Sequence, residues 1–218
     1  MERATVIFDM DGLLIDSEPL WKIAAQKIFK NIGIELTNEQ YLSSTGLRTK
    51  EFVQLWCSKF GKSEVNYAEV EENITDLVMQ LVDSQGILMN GVQHILPFFK
   101  QRKFKIGIAS SSPEKLIKQV ITQFSLHDFI DEIASAEHLA YGKPHPEVYI
   151  NCAKQLGVAP KDCIAFEDSF NGLLAAKAAR MKCVIVPEYA IAKDKRWGAA
   201  DLQLSSLQNF NALHLGLL

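Results

Sequence analysis

The chain has 218 residues, of which 48% are hydrophobic and 22% charged, a composition that excludes a largely disordered protein. Its formal net charge is −3 without long runs of one sign, which argues against a nucleic-acid-binding surface. No segment approaches the roughly 18 apolar residues of a membrane span, and the N-terminus becomes acidic too early for a signal peptide. We therefore expect a cytoplasmic protein with reduced cysteines, a monomer with neither nucleic-acid nor membrane partners.

The predicted elements begin with a strand at residues 4–8, a short apolar run rich in β-branched side chains. Residues 18–85 then show only the helical spacing of apolar side chains, starting with Leu20, Ala24 and Ile28. From about residue 90, strands and helices alternate. The predicted strands are residues 105–109, 130–134, 163–166 and 182–186, and the helices between them are residues 116–124, 147–156 and 172–179.

Alternating strands and helices predict a doubly wound α/β fold with a parallel, Rossmann-like sheet. The first strand is separated from the others by the long helical segment, which indicates an insertion. We therefore predict an α/β core of residues 1–15 and 88–218 and an α-helical cap of residues 16–87. Both ends of the cap are expected near one end of the first strand, so that the cap covers that end like a lid.

Open α/β sheets bind ligands beyond the carboxyl ends of their strands, and four motifs lie at such ends. After the first strand, Asp9 and Asp11 are two residues apart, which places both carboxylates on one side of an extended chain. A cation or a phosphoryl group could exploit the mutual repulsion of these two carboxylates. The alternative is an ordinary turn, because Asp-Gly favours turns wherever it occurs.

The second motif is a run of three serines, residues 110–112, before Pro113 at a predicted helix start. Free backbone N–H groups and the helix dipole favour an anion there. The alternative is that Ser112 only caps the helix.

The third and fourth motifs are a lysine before proline and a pair of acids. Lys143 precedes Pro144, which restricts its backbone to an extended conformation; the alternative is a solvated loop lysine. Glu167 and Asp168 follow a buried strand, where acids can also simply complement a helix dipole. Together, the four motifs predict that a phosphate and a divalent cation meet at this sheet edge.

The order and spacing of these motifs, Asp9-x-Asp11-Gly12, Ser110, Lys143-Pro144 and Glu167-Asp168, resemble the signature of the haloacid dehalogenase superfamily. The helical insertion between the first two resembles the subgroup with an α-helical cap. The segment 8–21 is most similar to bacterial phosphatases acting on 2-deoxyglucose 6-phosphate and hexitol phosphates, relatives of β-phosphoglucomutase. The resemblance implies a magnesium-dependent phosphatase that hydrolyses small sugar phosphates, its one partner being a small phosphate ester.

The resemblance also implies a role for each motif residue. Asp9 would attack phosphorus to form an aspartyl-phosphate, and Asp11 would be the general acid and base. Magnesium would be held by Asp9, Asp168 and the backbone carbonyl of Asp11, with support from Glu167. The phosphate would be bound by Asp9, Asp11, Ser110, Ser111 and Lys143.

The cap would recognise the leaving group, and the candidate residues are Glu18, Trp21 and the segment Thr45-Gly46-Leu47-Arg48. The alternative is that Trp21 belongs to the core of the cap and that Arg48 is solvated.

Other activities stay open at this point. A β-phosphoglucomutase is the first alternative, but the histidine early in the cap of those mutases is absent from residues 18–29. A non-catalytic phosphate-binding regulatory protein would be expected to lose Asp9, Asp11 or Lys143, and all three are present. A receiver-like phosphorylation domain would not need a cap, and a dehalogenase has no use for a second acid at position 11.

Overall fold

The computed structural model describes residues 4–44 and 46–218. Its centre is a parallel β-sheet, which confirms the predicted fold class. In these residues the strands are β1 (Thr5–Phe8), β2 (Lys105–Ser110), β3 (Glu132–Ser135), β4 (Cys163–Glu167), β5 (Lys182–Ile185) and β6 (Leu202–Gln203). Their order is β3-β2-β1-β4-β5-β6, and every neighbouring pair is parallel. β1 thus lies between β2 and β4, so the carboxyl ends of these three strands are neighbours.

The helices of the described chain are α1 (Glu18–Asn31), α2 (Asn38–Leu42), α3 (Thr49–Lys59), α4 (Tyr67–Gln85), α5 (Val92–Gln101), α6 (Glu114–Gln123), α7 (Glu147–Gln155), α8 (Phe170–Ala178) and α9 (Ala212–Gly216). None of them is long and apolar enough to cross a membrane. The sequence did not predict α5, whose interior contains Pro97, a residue that normally breaks helices. It also did not predict α9 or the two-residue strand β6.

The predicted third strand is displaced, because β3 begins two residues later than the sequence indicated. The side chain of Asp131 accepts a hydrogen bond from the backbone N–H of Ile106 at 2.7 Å, and this carboxylate takes the place of a strand carbonyl. The ladder between β2 and β3 therefore starts at Glu132.

Both faces of the sheet are buried, as the apolar strands predicted. On one face Phe8 stacks on Phe166 with ring centroids 5.0 Å apart, inside an apolar cluster that extends into α1, α3 and α4. On the other face Ile7 and Ala165 belong to a separate cluster that includes α7 and α8. Because both faces are packed, polar groups reach solvent or ligand mainly at the strand ends.

Helices α1 to α4 lie between β1 and α5, in the segment predicted to be a cap. α4 packs against α1 and α3 and also contacts α6 of the sheet layer. The two segments that connect this insertion run side by side. The N–H of Asp16 donates to the carbonyl of Ile87 and the N–H of Met89 to the carbonyl of Leu14, both at 3.0 Å. Both connections therefore lie beyond the carboxyl end of β1.

Candidate active site

The turn after β1 brings Gly12 close to Asp168 at the end of β4. The N–H of Asp9 still pairs with the carbonyl of Phe166 at 2.9 Å, and the chain turns immediately afterwards. Gly12 has φ of +71°, and a Cβ atom at this position would collide with the carboxylate of Asp168. A glycine is therefore required here both for the backbone conformation and for the close approach of the fourth motif.

Lys143 lies at the centre of a buried network of charges. Its side chain is 2% exposed, and its Nζ donates to Asp9 Oδ1 at 2.8 Å, to Glu167 Oε1 at 2.7 Å and to the carbonyl of Ala109 at 3.0 Å. Burial lowers the pKa of Lys143, but the two carboxylates outweigh burial and raise it above its ordinary value. The ammonium group therefore stays charged, and its direction is fixed.

Glu167 holds this network in place and has little capacity for other ligands. Its Oε1 also accepts from the hydroxyl of Tyr149 at 2.7 Å. Its Oε2 accepts from the N–H of Asp168 at 3.1 Å, and from the N–H and Oγ of Ser169 at 3.2 and 3.1 Å. The carboxylate is fully buried, and Gly172 of α8 lies against it with no space for a Cβ atom.

Three carboxylates form the one cluster suited to a metal ion in the described chain. Asp9, Glu167 and Asp168 each offer an oxygen, and these oxygens all lie within 4.8 Å of one another. Oδ1 of Asp168 is buried and accepts no hydrogen bond from any described residue. A buried carboxylate oxygen without a donor is costly, so Asp168 and the remaining oxygen of Asp9 fit a hard divalent cation.

The electrostatics of the cluster show an excess of negative charge. Burial raises the pKa of Asp9 to about 7, although Lys143 lowers it, and Glu167 and Asp11 raise it further. Burial also raises the pKa of Asp168 well above its ordinary value, with further contributions from Glu167 and Asp9. One lysine does not compensate these groups, so a cation would be stabilising here.

Asp11 is held by four donors from two parts of the chain. Its Oδ1 accepts from Ser17 Oγ at 2.7 Å and from Trp21 Nε1 at 2.8 Å, both beside or in α1. Its Oδ2 accepts from Ser112 Oγ at 2.6 Å and from Ser110 Oγ at 3.3 Å, beyond or at the end of β2. The carboxylate is thus fixed between the sheet and the helical insertion.

The serine motif is arranged differently from its sequence interpretation. The side chain of Ser112 does not cap α6, whose cap residue is Pro113, so that alternative was wrong. Ser110 is buried and directed at Asp11, and its Oγ accepts from the N–H of Ser112 at 3.0 Å. Ser111 lines the pocket, where its Oγ donates to the carbonyl of Gly46 at 3.3 Å.

A pocket lies between the motifs and the helical insertion. Its floor contains Asp9, Asp11, Lys143 and Asp168, and the insertion contributes Glu18, Trp21, Tyr41, Leu47, Phe52 and Ile74 among others. Burial raises the pKa of Glu18 to about 8, and the negative charges of Asp11 and Asp9 also raise it.

The predicted cap residues differ in position. Glu18, Trp21, Gly46 and Leu47 line the pocket, whereas Thr45 lies outside the described residues. Arg48 is buried rather than solvated, and its guanidinium group donates to carbonyls of the loop before Lys143.

Sequence reasoning missed three side chains that hold the site: Ser17, Ser112 as a partner of Asp11, and Tyr149. Ser112 lies in the same serine run as Ser110, and Ser17 immediately precedes α1. These positions in the sequence were the one indication of their roles. Tyr149 lies in α7, where its spacing indicates only a buried apolar position.

Comparison with known proteins agrees with this geometry. The sequence model of the family described as "Haloacid dehalogenase-like hydrolase" matches residues 6–186. Hexitol phosphatase B of Escherichia coli (strain K12) is 42% identical over 210 residues, covering 96% of this chain and 95% of that protein. A putative phosphatase of Bacillus subtilis (strain 168) is 36% identical, covering 84% of this chain and 82% of the relative.

Among solved structures, β-phosphoglucomutase from Clostridium difficile superposes with a TM-score of 0.87 at 27% identity, covering 99% of this chain and 96% of the mutase. The fold, the four motifs and the similarity over nearly the full length of these proteins agree. The chain is an enzyme of the haloacid dehalogenase-like hydrolase family.

Proposed function

We propose that this protein is a magnesium-dependent phosphatase that hydrolyses hexose or hexitol phosphates through an aspartyl-phosphate. The observation that carries this proposal is the placement of Asp9 and Asp11 at one pocket floor, one beside Lys143 and the other held by four donors. The 42% identity to a hexitol phosphatase supports the sugar-phosphate class.

In the first step, the carboxylate of Asp9 attacks phosphorus, and the bond from phosphorus to the sugar oxygen breaks. The departing oxygen takes a proton from Asp11. Lys143 offsets the negative charge that Asp9 and the phosphoryl group bring together. In the second step, Asp11 accepts a proton from water, whose oxygen attacks phosphorus and releases Asp9 and inorganic phosphate.

The residues that would hold magnesium are Asp9 and Asp168, with the carbonyl of Asp11 as a further oxygen ligand. When bound, the ion supplies positive charge that offsets the repulsion between a carboxylate and a phosphate. Glu167 contributes by fixing Lys143 and the start of α8, since its oxygens already accept five hydrogen bonds.

Residues 16–87 act as the cap in this proposal, with residues 1–15 and 88–218 as the catalytic core. The two connections, residues 14–16 and 87–89, run side by side. They form a hinge about which the cap rotates while the core keeps its structure. The closed arrangement would exclude water from the pocket and keep the hydrogen bond that Trp21 donates to Asp11 in this structure.

A phosphosugar mutase is the second candidate, since a β-phosphoglucomutase shares the fold over nearly the whole chain. Trp21 argues against it. The indole N–H that faces Asp11 is a fixed donor that does not take up or release a proton at neutral pH.

The test is phosphate release from hexose 6-phosphates, hexitol phosphates, 2-deoxyglucose 6-phosphate, phosphoglycolate and β-glucose 1-phosphate, with magnesium or with a chelator. We expect magnesium-dependent release concentrated on the six-carbon esters. Asp9→Asn should reduce turnover by about 10⁴-fold or more, whereas the exposed Asp128→Asn should not. Conversion of β-glucose 1-phosphate to glucose 6-phosphate without free phosphate would establish a mutase instead.

A further inference from the structure

We propose that the pocket accepts only one phosphate group, so that the substrates are monophosphate esters whose leaving group is uncharged and rich in hydroxyl groups. This inference rests on the proposed phosphatase function and narrows its substrate class. It is carried by the distribution of charged side chains along the pocket wall.

Cationic side chains are confined to the end of the pocket where the phosphoryl group is transferred. Among the described residues that line the pocket, Lys143 is the one cation, whereas Asp9, Asp11, Glu18 and Asp168 are acidic. The ammonium group of Lys143 is 2.8 Å from Asp9 and 2.7 Å from Glu167, so its charge serves the transferred phosphate. A second phosphate at the cap end would meet no positive side chain among these residues.

The arginine that follows Leu47 is directed away from the pocket. One terminal nitrogen of Arg48 donates to the carbonyl of Leu139 at 2.6 Å and to that of Ala136 at 3.1 Å. The other pairs with Glu51 at 2.7 Å, and the side chain is only 8% exposed. Moving this buried guanidinium group onto a substrate would break its ion pair with the partly exposed Glu51 and two hydrogen bonds, so Arg48 does not supply the missing charge.

Glu18 gives the cap end its chemical character. Acidic groups surround its carboxyl group, among them Asp9, Asp11, Asp16, Glu188 and Asp168. No described residue donates a hydrogen bond to it. A carboxyl group accepts hydrogen bonds from hydroxyls when ionised, and both donates and accepts when protonated. In neither state does it offset a second phosphate.

The rest of the cap wall offers apolar surface. Leu47, Phe52 and Ile74 line the pocket there, and such side chains pack against the C–H groups of a sugar or hexitol chain. A phosphate or carboxylate placed against this wall would lose water without gaining a partner. The wall and Glu18 together therefore suit a neutral polyhydroxylated group.

Matched pairs of esters test the inference directly. The first pair is fructose 6-phosphate and fructose 1,6-bisphosphate, which differ in a second phosphate. The second is 2-hydroxyethyl phosphate and phosphoglycolate, which differ in a carboxylate. We expect the added anionic group to lower kcat/KM with magnesium by about 100-fold or more in each pair. Use of both members within about threefold would overturn the inference.

A cation introduced into the cap wall should reverse the selectivity. Leu47→Lys is expected to raise the ratio of bisphosphate to monophosphate kcat/KM by about tenfold, because it supplies the missing charge. Leu47→Gln, of similar size but neutral, is the matched control and should leave the ratio unchanged. An equal rise in both variants would show that shape, rather than charge, excludes the bisphosphate and would contradict the argument.

Binding separates this inference from the proposed function. Titration calorimetry with the Asp9→Asn variant and the fructose esters measures selectivity without turnover. Preferred binding of fructose 6-phosphate supports the inference even if the wild-type protein releases no phosphate from any ester, a result that would contradict only the phosphatase function. Equal binding of the two esters, or binding of neither, contradicts the inference.

Discussion

At the scale of single residues, the position of Asp11 depends on donors that arrive from both sides of the pocket. The indole N–H of Trp21 comes from α1, and the hydroxyl of Ser112 comes from the end of β2. An acid that must first give and then take a proton needs a fixed position relative to the departing oxygen. Trp21 thus belongs to the helical insertion that lines the pocket and is also a partner of the proposed general acid, Asp11.

We expect Trp21→Phe to lower kcat about tenfold, since it removes one hydrogen bond to a charged group while keeping the aromatic packing. Trp197→Phe is the matched control. Its Nε1 donates to the carbonyl of Ile191 at 2.7 Å and to no motif residue, so this variant should keep the kcat of the wild type. Steady-state kinetics on a hexose phosphate would measure both, and an unchanged kcat in Trp21→Phe would remove Trp21 as a positioning residue.

At Gly172, helix propensity and packing against Glu167 have opposite effects on the stability of an alanine variant. Alanine is favoured over glycine by about 1 kcal/mol inside a helix, so propensity alone predicts that Gly172→Ala stabilises α8. The structure predicts the reverse, because the new methyl group would occupy the space of the Glu167 carboxylate. Displacing that carboxylate disturbs its bonds to Lys143 and Tyr149, and we expect a loss of about 3 kcal/mol.

Urea unfolding would measure this loss of stability. Gly198→Ala is the control, since a Cβ atom there would have nothing within 4 Å. A stabilised Gly172→Ala protein would show that Glu167 has more freedom than its five hydrogen bonds indicate.

At the scale of elements, residues at the start of α3 form hydrogen bonds with the loop that leads to Lys143. Arg48 donates to the carbonyls of Ala136 and Leu139, and Glu51 accepts the N–H of Gly142 at 3.2 Å. Gly142 lies so close to this ion pair that a Cβ atom would be 2.6 Å from Glu51 Oε2. The helical insertion and the Lys143 loop are therefore joined by a partly buried, charged contact.

We expect Arg48→Lys to weaken this contact, because a lysine keeps the charge but cannot bond several acceptors as the planar guanidinium does. The closed arrangement would be populated less, raising KM and lowering kcat/KM by about tenfold, with a smaller effect on kcat. Arg102→Lys on the exposed end of α5 is the control. A change in kcat/KM below twofold would mean that the contact between α3 and the Lys143 loop does not control closure of the cap.

The individual elements also differ in how closely the sequence predicts them. Four of the strands were predictable to within one residue, since β1, β2, β4 and β5 are apolar runs buried on both faces. β3 was displaced because a side chain, Asp131, replaces a backbone partner. α5 was missed because its apolar face overrides the penalty of Pro97. A single side-chain contact such as that of Asp131 leaves no periodic signal in a sequence.

The same contrast holds within the site. Asp9, Asp11, Lys143 and Glu167-Asp168 were recognisable because each follows a strand of one sheet. Tyr149 and Ser17 were not, since they reach the site by the packing of α7 and the path into α1. The hydrogen-bond partners of Arg48 were also not predictable, because they lie about ninety residues away in the chain.

At the scale of the whole molecule, the acidic cluster should make stability depend jointly on pH and magnesium. The carboxyl of Asp9 has an ordinary pKa of 3.8, which applies to the unfolded chain, and a pKa of about 7 when folded. The folded state thus binds this proton more tightly. The metal-free protein is therefore favoured at low pH and loses stability as the pH rises from about 4 to about 7. Asp168, whose pKa is also raised, adds to this trend.

Magnesium should act in the opposite direction, because it binds the ionised carboxylates. At a concentration of 100 times its Kd the ion adds about 2.7 kcal/mol. This corresponds to a rise of about 5–10 °C in Tm for a chain of this size. We expect the rise at pH 8 and little or none at pH 5, where Asp9 is protonated. Thermal unfolding with magnesium and with chelator at both pH values measures it, and Asp168→Asn should abolish the gain whereas Asp128→Asn should retain it. An equal gain at pH 5 and pH 8, or one that survives in Asp168→Asn, would place the ion elsewhere.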